Sequence, residues 1–253
     1  MSRWLKILPL TLALAALSIL AASCNSASPA QVRFVNAIQD TDQYGAALDI
    51  EFNGTRDFSD VAFFGYLPIS GYTSVPLGSD TIEGLETATS TEIFDAKVSL
   101  NPGTQSQYTI VATGFAINSS KIAIISAADN NTAPVAGKVE FRVINASPSG
   151  PSGVDIYIVP VGSSGSIAPP ATIANLAYRG VSGYVALSYN SNRVNGANYT
   201  MFVTATGTTA PILVTQSISA GSSSEGSIRT LVLTDQQNID QLNPLAIVLN
   251  DFN

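Results

Sequence analysis

Histidine is absent from the 253 residues, and cysteine and tryptophan occur once each. Without histidine, the chain has no Ser-His-Asp or Cys-His catalytic arrangement and lacks the commonest zinc ligand. The serine-rich stretches 162–166 and 221–225 do not have the Gly-x-Ser-x-Gly spacing of a hydrolase nucleophile. We therefore expect no enzyme activity, no metal site and no cofactor.

Positive charge is also scarce, with 11 Lys and Arg against 18 Asp and Glu. The cations are scattered singly along the chain, whereas nucleic acid is bound through clustered Lys and Arg. The sequence thus predicts no nucleic-acid partner. The acidic surface also repels anionic lipid headgroups, so a membrane would be reached only through attached acyl chains.

The first 23 residues have the order of a secretory signal peptide. Arg3 and Lys6 precede a mostly apolar stretch, and the small residues Ala21, Ala22 and Ser23 follow it. The stretch is shorter than the roughly 20 apolar residues of a spanning helix. Cleavage after residue 23 would remove two cations and leave 9 Lys and Arg against 18 Asp and Glu, a net charge of −9.

Cys24 ends this segment as a bacterial lipobox does, so it is the expected lipid attachment site, with palmitate among the acyl chains. Leu20 stands one position too early for that pattern, which leaves open an ordinary signal peptide followed by a free thiol. Residues 24–30 form the predicted tether. Because Asn25 instead of Asp follows the cysteine, a Gram-negative sorting rule favours the outer membrane over the inner one.

Two segments of the remaining chain repeat each other. Residues 32–37 recur at 141–146, and residues 48–52 at 154–158. Ser70-Gly71-Tyr72 returns at 182–184; we also align Tyr108-Thr109 with Tyr199-Thr200, and 122–125 with 230–233. Because a fixed order of blocks indicates duplication, we predict a first domain over 31–128, a linker over 129–137 and a second domain over 138–253.

Within each copy, apolar and polar residues alternate as they do in half-buried strands. Turn sequences rich in Gly, Pro and Asn separate the runs, and outside the leader no apolar pattern of helical spacing with caps is sustained. The sequence therefore predicts an all-β protein with two tandem antiparallel β-sandwich domains. We expect these to be immunoglobulin-like.

The motif Val-Arg-Phe-Val-Asn-Ala at 32–37 and its second version at 142–148 are similar to those of the domain of unknown function 4397 family. The Val154-Asp155-Ile156-Tyr157 strand and the Ser-Gly-Tyr and Tyr-Thr pairs resemble it too. This resemblance covers nearly all of the mature chain, twice, and implies a tandem β domain of the cell envelope. It supplies no catalytic residues. The first copy departs from the family at Ile38-Gln39, where Ser-Pro is usual.

The acidic residues offer two weak alternatives. Asp49 and Glu51 share one strand face and could act as paired carboxylates on a glycosidic bond, but the second copy has Asp155 and Tyr157 there. Asp40 and Asp42 could donate oxygens to calcium, although the glycine and glutamate of an EF-hand loop are missing. A Ser-Lys dyad at 119–121 is disfavoured because adjacent strand residues face opposite ways.

Four charged residues recur at equivalent repeat positions: Arg33 with Arg142, and Asp49 with Asp155. We expect Arg33 with Asp49, and Arg142 with Asp155, to form a structural pair or polar contact between neighbouring strands. Tyr72 and Tyr184, repeated in Ser-Gly-Tyr, could present ring faces to a sugar, although packing is the favoured interpretation.

These observations favour a non-enzymatic, lipid-anchored envelope protein. Its two β domains would contact envelope protein or polysaccharide, or act as a spacer. The alternative is an envelope carbohydrate-binding module or glycan-processing accessory.

Overall fold

The computed structural model describes residues 29–39, 47–69, 71–75, 78–100, 107–117, 122–162, 167–220, 227–235 and 245–251. Strands dominate these residues, and no α-helix occurs among them. The prediction of an all-β protein is confirmed. None of the described segments forms a helix of the length and apolarity needed to span a membrane. Cys24, the leader, Asp40 and Asp42 lie outside the described residues.

The strands of the N-terminal half are β1 Ala30–Gln39, β2 Leu48–Phe52, β3 Thr55–Val61, β4 Gly65–Leu67, β5 Thr73–Val75, β6 Gly78–Glu86, β7 Glu92–Leu100, β8 Gln107–Phe115 and β9 Ala123–Ala128. They build two facing sheets, with orders β4-β1-β8-β9 and β3-β2-β6-β7; β5 also pairs with β1.

The strands of the C-terminal half are β10 Lys138–Asn145, β11 Gly153–Pro160, β12 Ile173–Ala177, β13 Val185–Ser188, β14 Tyr199–Ala205, β15 Ile212–Ile218, β16 Ile228–Thr234 and β17 Leu245–Asn250. They also build two sheets, with orders β13-β10-β16-β17 and β12-β11-β14-β15.

Each half encloses its own apolar core between its two sheets. In the N-terminal half, Phe34 and Ile110 of one sheet share a core with Ile50 and Ile82 of the other. In the C-terminal half, the corresponding core contains Phe141, whose ring meets that of Tyr199 edge-on at 5.2 Å between centroids. Alternation along each strand puts these residues inside, as period-two patterning requires.

Two details differ from the expectations drawn from sequence. The pairs β1–β8 and β10–β16 are parallel, so the sheets are mixed instead of wholly antiparallel. These pairs also show that β8 occupies the place of β16, and β9 that of β17. Matching Tyr108-Thr109 with Tyr199-Thr200, and 122–125 with 230–233, was therefore wrong. Short strand patterns carry too little information to fix such matches.

The repeated Asn-Ala motif has a structural reason. The Asn36 side chain donates to the carbonyl of Val61 at 3.1 Å, and the Asn145 side chain donates to that of Leu176 at the same distance. Both asparagines are buried, and their Oδ1 atoms accept backbone N–H groups two residues on. Each asparagine thus connects the first strand of its half to a strand of the facing sheet, β3 in the first half and β12 in the second. No buried side-chain amide is left unpaired at these positions.

Candidate functional site

The sheets containing β1 and β10 face each other through an apolar layer between the two halves. Side chains alternate along a strand, so Val35 and Ala37 of β1 point away from the core that holds Phe34. Ile144 of β10 and Ala146, which directly follows β10, lie in the same layer. The layer also contains residues of β8, β9, β16 and β17, and the members named next are all buried. Its buried members are Val35, Ala37, Val111, Ile125, Ala127, Ile144, Ala146, Val232, Ile247 and Leu249.

A buried group of polar side chains adjoins this layer, and we call it the interface polar cluster. Its members come from both halves in matching places, one Arg, Thr, Asp and Tyr from each. They are Arg33, Tyr72, Thr109, Asp129, Arg142, Tyr184, Thr230 and Asp251. The guanidinium groups and carboxylates are almost completely removed from solvent.

On one side of the cluster, Arg33 reaches across to the other half. Its Nη2 donates to the Asp251 carboxylate in a short contact, and its Nη1 donates to the carbonyl of Asn250 at 2.9 Å. Its Nε donates to the Thr109 hydroxyl at 3.0 Å, and that hydroxyl donates to Asp129 at 2.8 Å. The neighbouring strand β8 thus orients the arginine that crosses the interface.

The other side of the cluster repeats this arrangement in reverse. Arg142 donates to the Asp129 carboxylate in a short contact, to the carbonyl of Ala128 at 2.7 Å, and to the Thr230 hydroxyl at 3.1 Å from Nε. Thr230 in turn donates to Asp251. Each arginine lies farther from the aspartate of its own half, at 3.6 Å for Arg33–Asp129 and 3.9 Å for Arg142–Asp251. The closest charge pairs therefore cross between the halves.

The carboxylates of the cluster favour the charged form of Arg33. Burial works to lower the pKa of Arg33, but the carboxylates of Asp251 and Asp129 outweigh it and raise that pKa. Several hydrogen bonds satisfy each charge, which is what keeps a buried ion pair tolerable. Among the described residues, no group of three or more His, Cys, Asp or Glu could hold a metal ion. The arrangement is suited to holding two sheets in a fixed orientation.

The structure places Tyr72 and Tyr184 in this cluster. Tyr72 donates to Asp129 and Tyr184 to Asp251, both at 2.9 Å. The Arg33 guanidinium lies 5.4 Å from the centre of the Tyr72 ring, and that of Arg142 lies 4.7 Å from the Tyr184 ring. A cation over an aromatic face is favourable. These ring faces and hydroxyls are therefore engaged within the protein, which favours packing over sugar stacking.

Alkaline pH is expected to weaken the cluster through these tyrosines. Burial raises the pKa of both hydroxyls, and the nearby carboxylates raise it further against the opposing effect of the arginines. A pKa raised by folding stabilises the protein fully below the unfolded value of about 10. That stability is then lost as pH rises through the folded value. We expect the free energy of unfolding to fall above about pH 10.

A double variant, Tyr72→Phe with Tyr184→Phe, isolates this effect when both proteins are unfolded in urea between about pH 8 and about pH 12. The variant should be less stable at pH 8, because two buried carboxylate hydrogen bonds are lost. The difference in the free energy of unfolding between the wild type and the variant should narrow as the pH rises. A constant difference would contradict the role given to the two tyrosine hydroxyls.

The expected pairing of Arg33 with Asp49, and of Arg142 with Asp155, was wrong. Asp49 accepts the backbone N–H of Asp60 at 2.9 Å and pairs with Arg56 at 2.8 Å. The reason is topological: β1 and β2 lie in different sheets, as do β10 and β11, so neither strand neighbours the other.

Asp155 has an equivalent structural role in the second half. Its carboxylate accepts the backbone N–H groups of Asn175 and Gly207, both at 2.8 Å. Asn175, like Asp60 in the first half, has a positive φ. Each aspartate thus accepts a backbone N–H from a β-bulge in the adjoining strand, β3 or β12, where a regular hydrogen bond between strands is unavailable.

Sequence reasoning missed Asp129, Asp251 and the two threonines. The predicted linker begins at Asp129, yet this residue is 1% exposed and its N–H donates to the carbonyl of Gln107. Asp251 follows β17 in the same way, with its N–H donating to Ile228. The available signal was an aspartate directly after each half's last strand, and it becomes visible only once β9 is matched with β17.

A family model described as a domain of unknown function, DUF4397, matches residues 30–157, just over half of the chain. The chain belongs to the DUF4397 family. The resemblance noted in the Arg-x-x-Asn-Ala motif is thereby confirmed at the level of the family. The DUF4397 match includes β1 to β10 and most of β11. It contains Arg33, Tyr72, Thr109, Asp129 and Arg142 of the interface polar cluster.

No curated protein sequence matches this DUF4397 chain. Among solved structures, it is similar to the carbohydrate-binding module CBMbc (family CBM26) of Eubacterium rectale Amy13K in complex with maltoheptaose. Identity is 11% and the TM-score is 0.25, over 86% of this chain and 94% of that chain. A similarity of this size has no bearing on the ligand of the DUF4397 chain.

Proposed function

We propose that this chain is a lipid-anchored, non-enzymatic component of a bacterial cell envelope. It holds two tandem DUF4397 sandwiches in one orientation and displays their outer faces to envelope protein or polysaccharide. The observation that carries this proposal is the reciprocal crossing of Arg33 to Asp251 and of Arg142 to Asp129. Such crossing is expected of a duplicated unit whose two copies function as one rigid body.

Two further features support the proposal. The N-terminal residues supply a leader and a lipobox-like cysteine, and both halves repeat one strand order over 30–128 and 138–250. The buried charges of the cluster lie in the contact between the halves. In a hydrolase, by contrast, the catalytic charged groups line an open cleft. Reproducible turnover of a hydrolase substrate panel by the purified protein would overturn the non-enzymatic part.

The anchor is tested by a Cys24→Ala variant expressed in the host. We expect the wild-type protein to sediment with membranes and to carry an added diacylglycerol and acyl mass on Cys24, and the variant to leave the membrane fraction. Intact mass spectrometry and membrane fractionation measure both. Ser26→Ala, two residues beyond the cysteine, is the control and should remain membrane-bound. A soluble wild-type protein with a free thiol would contradict the proposal.

A further inference from the structure

A recess of about 260 Å³ opens on the outer face of the C-terminal half, on the sheet that lies away from the interface. The ring of Phe202 and the side chains of Thr200, Ser217 and Val159 line it, and the turn containing Val194 and Asn195 stands beside them. Phe202 is half-buried, Ser217 and Asn195 are exposed, and Val194 is 54% exposed. The recess therefore combines one aromatic ring with apolar walls and three polar side chains.

The corresponding face of the N-terminal half has a different character. The repeat matches Glu51 with Tyr157, and in the ladders Glu51 is opposite Glu83 just as Tyr157 is opposite Phe202. The next strands add Asp95 opposite Glu83, and Thr215 opposite Phe202. The equivalent positions thus carry an acidic row in the first half and a neutral, aromatic row in the second, so the fold does not dictate the neutral, aromatic character of this face.

The chemistry of the recess narrows the ligand. None of its lining residues is charged, although the mature chain would have a net charge of −9. The side chains of Thr200, Ser217 and Asn195 make no hydrogen bond with the described part of the chain, so their donors and acceptors are available. A ring face flanked by free hydroxyl and amide groups complements a sugar, which has an apolar C–H face and a rim of hydroxyls.

A peptide strand fits this place poorly. Strand addition requires an open sheet edge with unpaired backbone groups. β14, which supplies Phe202 and Thr200, is an inner strand paired with both β11 and β15. An amphipathic helix would place its apolar face against the three polar side chains and leave them unsatisfied.

We propose that this recess, defined by Phe202, Thr200, Ser217 and Asn195, binds a neutral oligosaccharide, with a sugar ring stacked on Phe202. The site rests on the proposed envelope function, because it gives the displayed outer face a ligand class. It replaces Tyr72 and Tyr184 as the sugar-contacting residues, since both are engaged between the halves.

The test uses the full chain purified from its host. Glycan-array binding would be followed by calorimetric titration with neutral β-1,4- and β-1,3-glucan hexasaccharides, and with hexagalacturonate as the anionic comparison. We expect a neutral hexasaccharide to bind and hexagalacturonate not to bind. Phe202→Ala should weaken binding roughly tenfold, the upper range for an aromatic contact. Thr200→Val, which keeps the side-chain shape, should weaken it by about threefold to tenfold.

Glu83→Ala, at the equivalent position of the N-terminal half, is the matched control and should bind like the wild type. Melting temperatures show whether each variant is folded, and Thr200→Val decides the outcome if Phe202→Ala is not. The proposal is overturned if no neutral saccharide on the array binds, if only anionic ones bind, or if binding survives both recess variants. Those failures are independent of membrane attachment, which the Cys24 variant decides.

Discussion

Replacing Arg142 by Met is expected to lower the free energy of unfolding by about 3–5 kcal/mol, the usual cost of removing one member of a buried ion pair. The substitution preserves much of the side-chain volume but leaves the carboxylate of Asp129, which is fully buried, without its closest cation. It also removes the hydrogen bonds to Ala128 and Thr230. Urea unfolding at neutral pH measures the change.

Arg56→Met is the control for this loss. Arg56 pairs with Asp49 at 2.8 Å, but its side chain is 45% exposed, so solvent weakens the pair. We expect a cost of less than about 1 kcal/mol. Adding Asp129→Asn to Arg142→Met should cost less than the sum of the two single changes, because the carboxylate left unpaired by the first is then neutral. A cost for Arg142→Met no larger than that for Arg56→Met would rule out the assigned role of the cluster.

The second large effect is expected from Ile144→Asp. Ile144 has no exposed surface and lies in the apolar layer between the halves. A carboxylate there would have to be desolvated against aliphatic side chains, at a cost of several kcal/mol. Because each half encloses its own core, we expect the halves to separate while their strands persist. Small-angle scattering should then report a larger radius of gyration with little change in far-UV circular dichroism.

Val135→Asp provides the comparison for this variant. Val135 is 76% exposed in the connection between the halves, so the same change of residue type should leave both the radius of gyration and the stability unaltered. If Ile144→Asp kept the wild-type radius and stability, the apolar layer would not be what holds the halves together.

The sequence allowed much of the fold to be anticipated. Alternating apolar residues in β10 and β11 indicated strands, and the repeated Arg-x-x-Asn-Ala segment led to the family. Both signals are local, which is why they can be read without coordinates. The parallel pairing of β1 with β8 could not be read in this way, because it joins strands separated by most of one half and depends on the order of the whole sheet.

The site was anticipated only in part, for the same reason. Arg33 and Arg142 were named as repeat positions, but their partners were sought within one half. Arg33 pairs with the carboxylate of Asp251, which is 218 positions away in the sequence and belongs to the other half. No sequence pattern predicts the interface that brings these two residues together. The recess around Phe202 depends likewise on which residues stand opposite each other in the ladders β11–β14 and β14–β15.

The parallel ladder between β1 and β8 also determines how the protein would respond to mechanical load. β1 directly follows the N-terminal segment and is bonded along Gln31 to Gln39 to β8 on one side, with β4 and β5 on the other. Tension applied from the N-terminal side would act along the strand axis. The backbone hydrogen bonds, which run across that axis, would then be sheared together instead of being peeled apart one by one. A tethered protein of this design would transmit a pull on its anchor to the whole sheet before any strand detached.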